Sequence, residues 1–156
     1  MKSVVNYRIF INAEPVSVFS YLSNLTLHSE WSGAPLKVEE LDQTPIKVGK
    51  RYRSVGDDPF SQNVENQLTV TEIQPSTRFC FTAIDPRMGA TAQDNPFTHE
   101  FILTSRDGGT LLERNVIREM NFFQHVLTKY IMGTLVAKPL MDRALVVLKQ
   151  KLENKE

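Results

Sequence analysis

An α+β fold, with a mainly antiparallel sheet covered by one long C-terminal helix, follows from three features of the sequence. Strand-like segments fill the middle of the chain, short turns join them, and an amphipathic helix from Asn121 to about Lys151 comes last. Neighbouring strands joined by short turns pair antiparallel. A long helix after such a stretch needs an apolar face to lie on, and the inner face of the sheet is the one available. A curved sheet gripping a helix leaves space between the two layers, so the architecture points to a small-molecule cavity.

Each element has its own signal. Val5, Tyr7, Ile9 and Ile11 alternate with Asn6, Arg8, Phe10 and Asn12, the period of a half-buried first strand. Pro15 suits the first turn of a helix, where its missing N–H costs nothing. Val16, Phe19, Tyr21 and Leu22 follow at helical spacing, and Leu25, Leu27 and Trp31 continue through a second short helical piece ended by Ser32-Gly33-Ala34-Pro35. Strands are then predicted at Leu36–Leu41, Lys50–Val55, Val64–Ile73, Arg78–Ile84, Phe97–Ser105 and Thr110–Glu119. Their separators carry turn chemistry, and Asp107-Gly108-Gly109 before an alternating run is a strong hairpin signal. The exception is Asp85–Pro96, a long connection rich in breakers, which reads equally well as a functional lid or a surface excursion.

The last helix opens with Asn121 at the N-cap and Gln124 three residues on, a capping-box pattern. Phe123, Val126, Leu127, Tyr130, Ile131 and Leu135 form an apolar stripe, which resumes after Pro139 with Met141, Ala144, Leu145, Leu148 and Leu152. Pro139 cannot bond the Leu135 carbonyl, so a kink or break is expected near Gly133–Pro139. Phe122 and Val136 make the first piece apolar nearly all round, which suggests a further burial surface.

Composition narrows the function classes. A chain of 156 residues without repeats or linkers fits one domain, residues 1–156. Its 18 Lys and Arg balance 18 Asp and Glu, so no global field draws nucleic acid to it. Cys80 has no second cysteine to pair with, and no Cys/His cluster has metal-ligand spacing, so neither a metal nor another cofactor is expected. No apolar run approaches the roughly 20 residues that span a bilayer, and none resembles a signal core. A cytoplasmic protein is the expectation.

Several segments together resemble the START-like (SRPBCC) superfamily of polyketide cyclase/dehydrase and lipid-transport proteins. They are Ile11-Asn-Ala-Glu-Pro-Val-Ser-Val-Phe-Ser-Tyr-Leu22 leading to Trp31, Val48-Gly-Lys-Arg-Tyr52, Leu68-Thr-Val-Thr-Glu-Ile-Gln-Pro75 leading to Arg78-Phe-Cys-Phe81, Phe101-Ile-Leu-Thr with Gly109-Thr-Leu-Leu112, and Leu145-Val-Val-Leu-Lys-Gln-Lys-Leu-Glu153. The resemblance spans nearly the whole chain. It implies the helix-grip fold: a seven-stranded antiparallel sheet, two short helices after the first strand, and a C-terminal helix across the sheet around a hydrophobic cavity. It fixes no single activity, because such proteins bind lipids, quinones, hormones or polyketides, and some catalyse cyclisation or dehydration.

Strand periodicity nominates the lining. If Phe97, Phe101 and Leu103 point inward, so does His99; if Leu112 and Val116 do, so does Arg114. Tyr52, Asn66, Leu68, Phe79 and Phe81 share that face, Trp31 stands at its rim, and Phe123, Leu127 and Tyr130 belong to the helix above. A mostly apolar wall with a few polar groups suits a ligand pocket. A one-residue slip would reverse Arg114 and Glu113. An inward Arg114 requires an anionic or carbonyl ligand, or a carboxylate such as Glu100 or Glu72 swung in. No nucleophile elbow, phosphate loop or zinc-binding helix occurs, so no catalytic residue is assigned. Three readings stay open: carriage of a hydrophobic small molecule (lipid, quinone or polyketide-like); a cyclase or dehydratase using His99 with Tyr52 or Arg114; and a protein-interaction module whose surface is Phe122–Val136 with the Asp85–Pro96 loop, including a homodimer through Phe122–Val136.

Overall fold

The computed structural model describes residues 1–57, 61–89 and 94–154. The expected sheet is present: β1 (Lys2–Ile11), β2 (Leu36–Glu40), β3 (Arg51–Gly56), β4 (Val64–Gln74), β5 (Arg78–Ile84), β6 (Phe97–Arg106) and β7 (Gly109–Glu119). They form one seven-stranded sheet in the order β1-β7-β6-β5-β4-β3-β2, with every pair antiparallel. The turn between β6 and β7 is the predicted one. Asp107 and Gly108 have φ of 49° and 76°, the pair of positive values that matches the twist of a tight hairpin.

Between the two edge strands β1 and β2 run α1 (Pro15–Ser23) and a 3-10 helix (Leu25–Glu30), the two short helices expected. Helix α1 lies against β5, β6 and β7, and the 3-10 helix lies against β2. The chain ends in a helical stretch of three parts: α2 (Phe122–Leu127), a π-helix (Thr128–Ala137) and α3 (Lys138–Glu153). The capping box forms, with Asn121 Oδ1 accepting from Gln124 N at 2.8 Å and Gln124 Oε1 accepting from Asn121 N at 3.3 Å.

The core follows from the alternation. Ile11, Leu22, Phe79, Phe101 and Leu112 from the sheet side meet Ala144, Leu145 and Leu148 from α3, all essentially without exposure. Burying side chains of that size contributes roughly 1.5–3 kcal/mol each before entropy is counted.

The first half of the terminal helix departs from expectation. Phe123, Tyr130 and Leu135 are 75%, 62% and 70% exposed, so the stripe drawn at α-helical spacing does not lie on the sheet. From Thr128 onward the reason is local geometry. The break expected near Pro139 takes the form of the π-helix, in which the Lys138 N–H bonds the carbonyl of Gly133, five residues back. In such a wide turn, residues four to five apart share a face. His125, Lys129, Thr134 and Lys138 therefore turn toward Lys2–Asn6 of β1, and the apolar side chains turn outward. Gly133 allows the close approach, because a Cβ there would come within 2.6 Å of the Thr128 carbonyl oxygen. Of the connection Asp85–Pro96, Pro86–Met88 form a 3-10 turn capped by Asp85, and the stretch 90–93, on which the lid expectation falls, lies outside the described residues. So does 58–60, the remainder of the Asp57 turn.

Candidate ligand site

Two side-chain rows cross the inner face of the sheet. Register places Ile73, Phe79, Phe101, Arg114 and Tyr7 in line across β4, β5, β6, β7 and β1. The next row contains Val70, Phe81, His99, Val116 and Val5. The pairing settles both uncertain orientations: His99 and Arg114 face inward, and Glu113 faces out, where it bonds Arg8 at 2.5 Å. Glu72 and Glu100 also face out, so neither carboxylate is swung toward Arg114.

Around Arg114 the structure gathers an aromatic cluster. Its guanidinium carbon lies 5.6 Å from the Trp31 ring and 5.4 Å from the Phe101 ring. His99 stacks on Phe81 at 4.8 Å, and His28 packs against Trp31 at 4.6 Å. Trp31, Phe81, His99, Phe101 and Arg114, all expected in the site, are thus brought together.

The polar groups of this cluster are two neutral imidazoles and one guanidinium. Arg114 Nη2 bonds His99 Nδ1 at 3.3 Å. A guanidinium only donates, so Nδ1 accepts and the imidazole proton sits on Nε2. His28 Nε2 lies 2.9 Å from the Leu22 carbonyl oxygen and therefore carries the proton on that nitrogen. Burial pushes His28 down to about 3, with the Arg114 charge acting in the same direction and the Leu22 bond against it. Burial likewise holds His99 well below the usual histidine range, aided by Arg114 and His28. Arg114 itself is lowered to about 10 by burial, opposed by its cross-strand neighbour Tyr7.

A pocket of about 230 Å³ opens onto this cluster. Trp31, Ala34, Pro35, Leu36, Leu140 and Met141 give it apolar walls, and Arg114, His28, Ser32 and Asp57 supply its polar atoms. It runs from buried Arg114 to the exposed Pro35, between the Ser32–Leu36 turn and the start of α3.

The other expected lining residues lie elsewhere. Phe79, Leu112, Leu68 and Tyr52 are packed in the core, and Tyr52 carries the Lys50 ammonium over its ring at 5.3 Å. Tyr52 sits on β3, separated from Arg114 by β4, β5 and β6, so the two do not converge on one atom. Asn66 is half-buried on the inner face of β4, opposite Ser54 and away from the cluster. Phe123 and Leu127 are exposed on α2, and Tyr130 is exposed on the π-helix that follows it.

Sequence reasoning missed His28, Tyr7 and the pair Leu140 and Met141. A signal for His28 existed. Leu25, His28 and Trp31 recur every three residues, the spacing that eclipses side chains in a 3-10 helix, and all three are buried. Read at α-helical spacing, the same stretch favours Leu27.

Among the described residues no group of His, Cys, Asp and Glu has the arrangement of a metal site, and no helix is long and apolar enough to cross a membrane.

Known structures share this architecture. A protein from Chromobacterium violaceum superimposes with a TM-score of 0.70 at 15% identity, over 98% of this chain and 99% of that one. One from Rhodobacter sphaeroides does so with 0.71 at 18% identity, over 99% and 94%. A protein of the dynemicin biosynthetic locus matches with 0.64 at 15% identity, over 99% of this chain and 48% of its own. At such identities the likeness concerns the fold alone. No curated protein is significantly similar in sequence. The profile of proteins like activator of Hsp90 ATPase homolog 1, by contrast, matches residues 12–121, from the end of β1 through the capping residue of α2. Those residues contain the 3-10 helix, the aromatic cluster and Arg114, and with them the chain belongs to the activator of Hsp90 ATPase homolog 1-like family of the START-like superfamily.

Proposed function

We propose that the protein binds and carries a hydrophobic small molecule between the inner face of the sheet and the C-terminal helix. The observation that supports this reading is the pocket beside Trp31, with apolar walls and a few polar atoms at its buried end. Such a lining draws affinity from apolar burial, at about 25 cal/mol per Å² less ordering costs, and orientation from the polar atoms. Within the expected set, Trp31 and Arg114 line the pocket and His99 holds Arg114 in place. The volume favours a compact ligand or one end of a longer one. Native mass spectrometry of the purified protein, with solvent extraction, tests the reading. A co-purifying apolar molecule supports it; an empty protein whose Trp31 fluorescence is also unmoved by octan-1-ol overturns it.

A second reading has its own observation. The outward stripe of Phe122, Phe123, Tyr130 and Leu135 is the kind of exposed apolar surface that marks an interaction site. The family is named after an activator of the Hsp90 ATPase, a protein-directed role. In this reading the helix face pairs with a partner or with a second copy of the chain. Sedimentation of the wild type and of Leu135→Asp decides: a dimer that the substitution dissolves supports it, and a monomer in both excludes self-association through this face.

A further inference from the structure

The charge at the end of the pocket is unbalanced, and its imbalance specifies the ligand. Arg114 is 7% exposed. Its one hydrogen bond goes to a neutral imidazole, its Nε is buried without an acceptor, and among the described residues it forms no ion pair. Asp57 lines the pocket with its Oδ1 accepting from the Asn63 backbone at 2.9 Å, Asp142 bonds Lys138 at 2.8 Å, and neither pairs with Arg114. Trp31 and Phe101 hold the guanidinium by their ring faces, which fixes its plane and supplies no negative charge. A buried cation normally has a bonded counter-ion, because an uncompensated one costs several kcal/mol. A planar guanidinium with free N–H groups matches one partner best, a carboxylate, which it can bind through two parallel bonds.

We infer that the ligand is an acid bound as its anion, an apolar body ending in a carboxylate that pairs with Arg114 at the buried end of the pocket. This deepens the carrier reading and rests on it. The aromatic ring of Trp31 would then lie along the apolar body next to the carboxylate. His99 is a positioning residue: through Nδ1 it holds one arm of the guanidinium and leaves the others for the ligand.

The test uses the protein as purified and three probes with the same chain: octanoate, octan-1-ol and methyl octanoate. Trp31 is the one tryptophan of the chain and lines the pocket, so its emission reports occupancy. Octanoate is expected to bind at least tenfold more tightly than the alcohol or the ester. Arg114→Met should abolish that preference, bringing octanoate to the level of the alcohol or below, and His99→Ala should lower the ratio of octanoate to alcohol affinity. Equal binding of acid and alcohol by the wild type overturns the inference while the carrier reading survives, and that comparison does not depend on any variant folding. An acid preference that persists in Arg114→Met also overturns it. No response to any of the three overturns both.

Discussion

Two arginines on opposite faces of the same sheet meet opposite fates. Arg78, on the outer face, donates to Glu100 and lies 3.4 Å from Glu72. Glu100 accepts in turn from Asn115 at 2.8 Å, and Asn115 from Asn6 at 2.6 Å. Register lays Glu72, Cys80, Glu100, Asn115 and Asn6 in a line across β4, β5, β6, β7 and β1, so the outer row forms a nearly closed set of donors and acceptors. Arg114, one row and one face away, has an imidazole and two aromatic rings. The outer arginine has its counter-ions from the fold itself, although its Nε, like that of Arg114, makes no hydrogen bond. The inner one gains a counter-ion only from something that enters. A buried charge left unpaired in the free protein points to binding, whereas a paired one points to stability.

The largest effect that separates the faces is acid sensitivity. A histidine whose folded pKa is depressed stabilises the fold fully above its unfolded value, near 6.5, and loses that contribution as pH falls toward the folded value. His28, at about 3, therefore makes the protein less stable across the window from 6.5 down to 3, by about 1.4 kcal/mol per pH unit, and His99 acts in the same direction. Urea midpoints measured at pH 7 and pH 4.5 should fall steeply for the wild type. His28→Gln, which keeps a donor for the Leu22 carbonyl, should show a shallower fall. Equal slopes would mean that His28 titrates as it does in the unfolded chain.

Glu100→Ala breaks the outer row. Arg78 would keep Glu72, and it is partly exposed, so the loss is smaller than for a fully buried pair, about 2 kcal/mol by denaturation. Arg114→Met makes the matching change inside and should have the opposite sign. Removing an unpaired buried cation in favour of a flexible apolar side chain should raise the stability of the free protein by about 1 kcal/mol. It should also raise the pKa of His99, readable by NMR, because the neighbouring positive charge is gone. A loss of stability at both positions would erase the distinction between the faces.

How much of this was legible in the sequence depends on range. The strands, the hairpin at Asp107-Gly108 and the Asn121 cap are local patterns, and they stand where periodicity and turn chemistry put them. Alternation tied His99 to Phe101 and Arg114 to Leu112 but left their common face open, and the strand pairing settles it. Their 3.3 Å approach did not follow from alternation, because it depends on the register between β6 and β7. Nor did the loss of Phe123, Leu127 and Tyr130 from the inner surface. A helical stripe assumes a fixed number of residues per turn, which the π-helix changes from Thr128 onward, and it does not tell whether a turn such as α2 is packed on the sheet at all. Tyr52 and Asn66 were placed on the correct face but too far along the sheet, since sequence alternation gives a side and not a distance.

The smallest effect should come at Cys80, in the middle of the outer row. Its thiol is buried, and its sulfur lies 3.7 Å from Glu72 Oε2, a weak donor contact. Burial pushes the thiol pKa up while Arg78 opposes that rise, so little thiolate exists near neutrality and alkylation of the folded protein should be slow. Cys80→Ser places a stronger donor against Glu72 and loses some apolar packing. The two changes offset, and stability should move by less than about 1 kcal/mol. That near-neutrality is what the row predicts, because the bonds joining Arg78, Glu100, Asn115 and Asn6 do not pass through the sulfur. A loss of several kcal/mol would instead make the thiol a member the row cannot do without, and would bring the outer face closer to the inner one in its dependence on a single group.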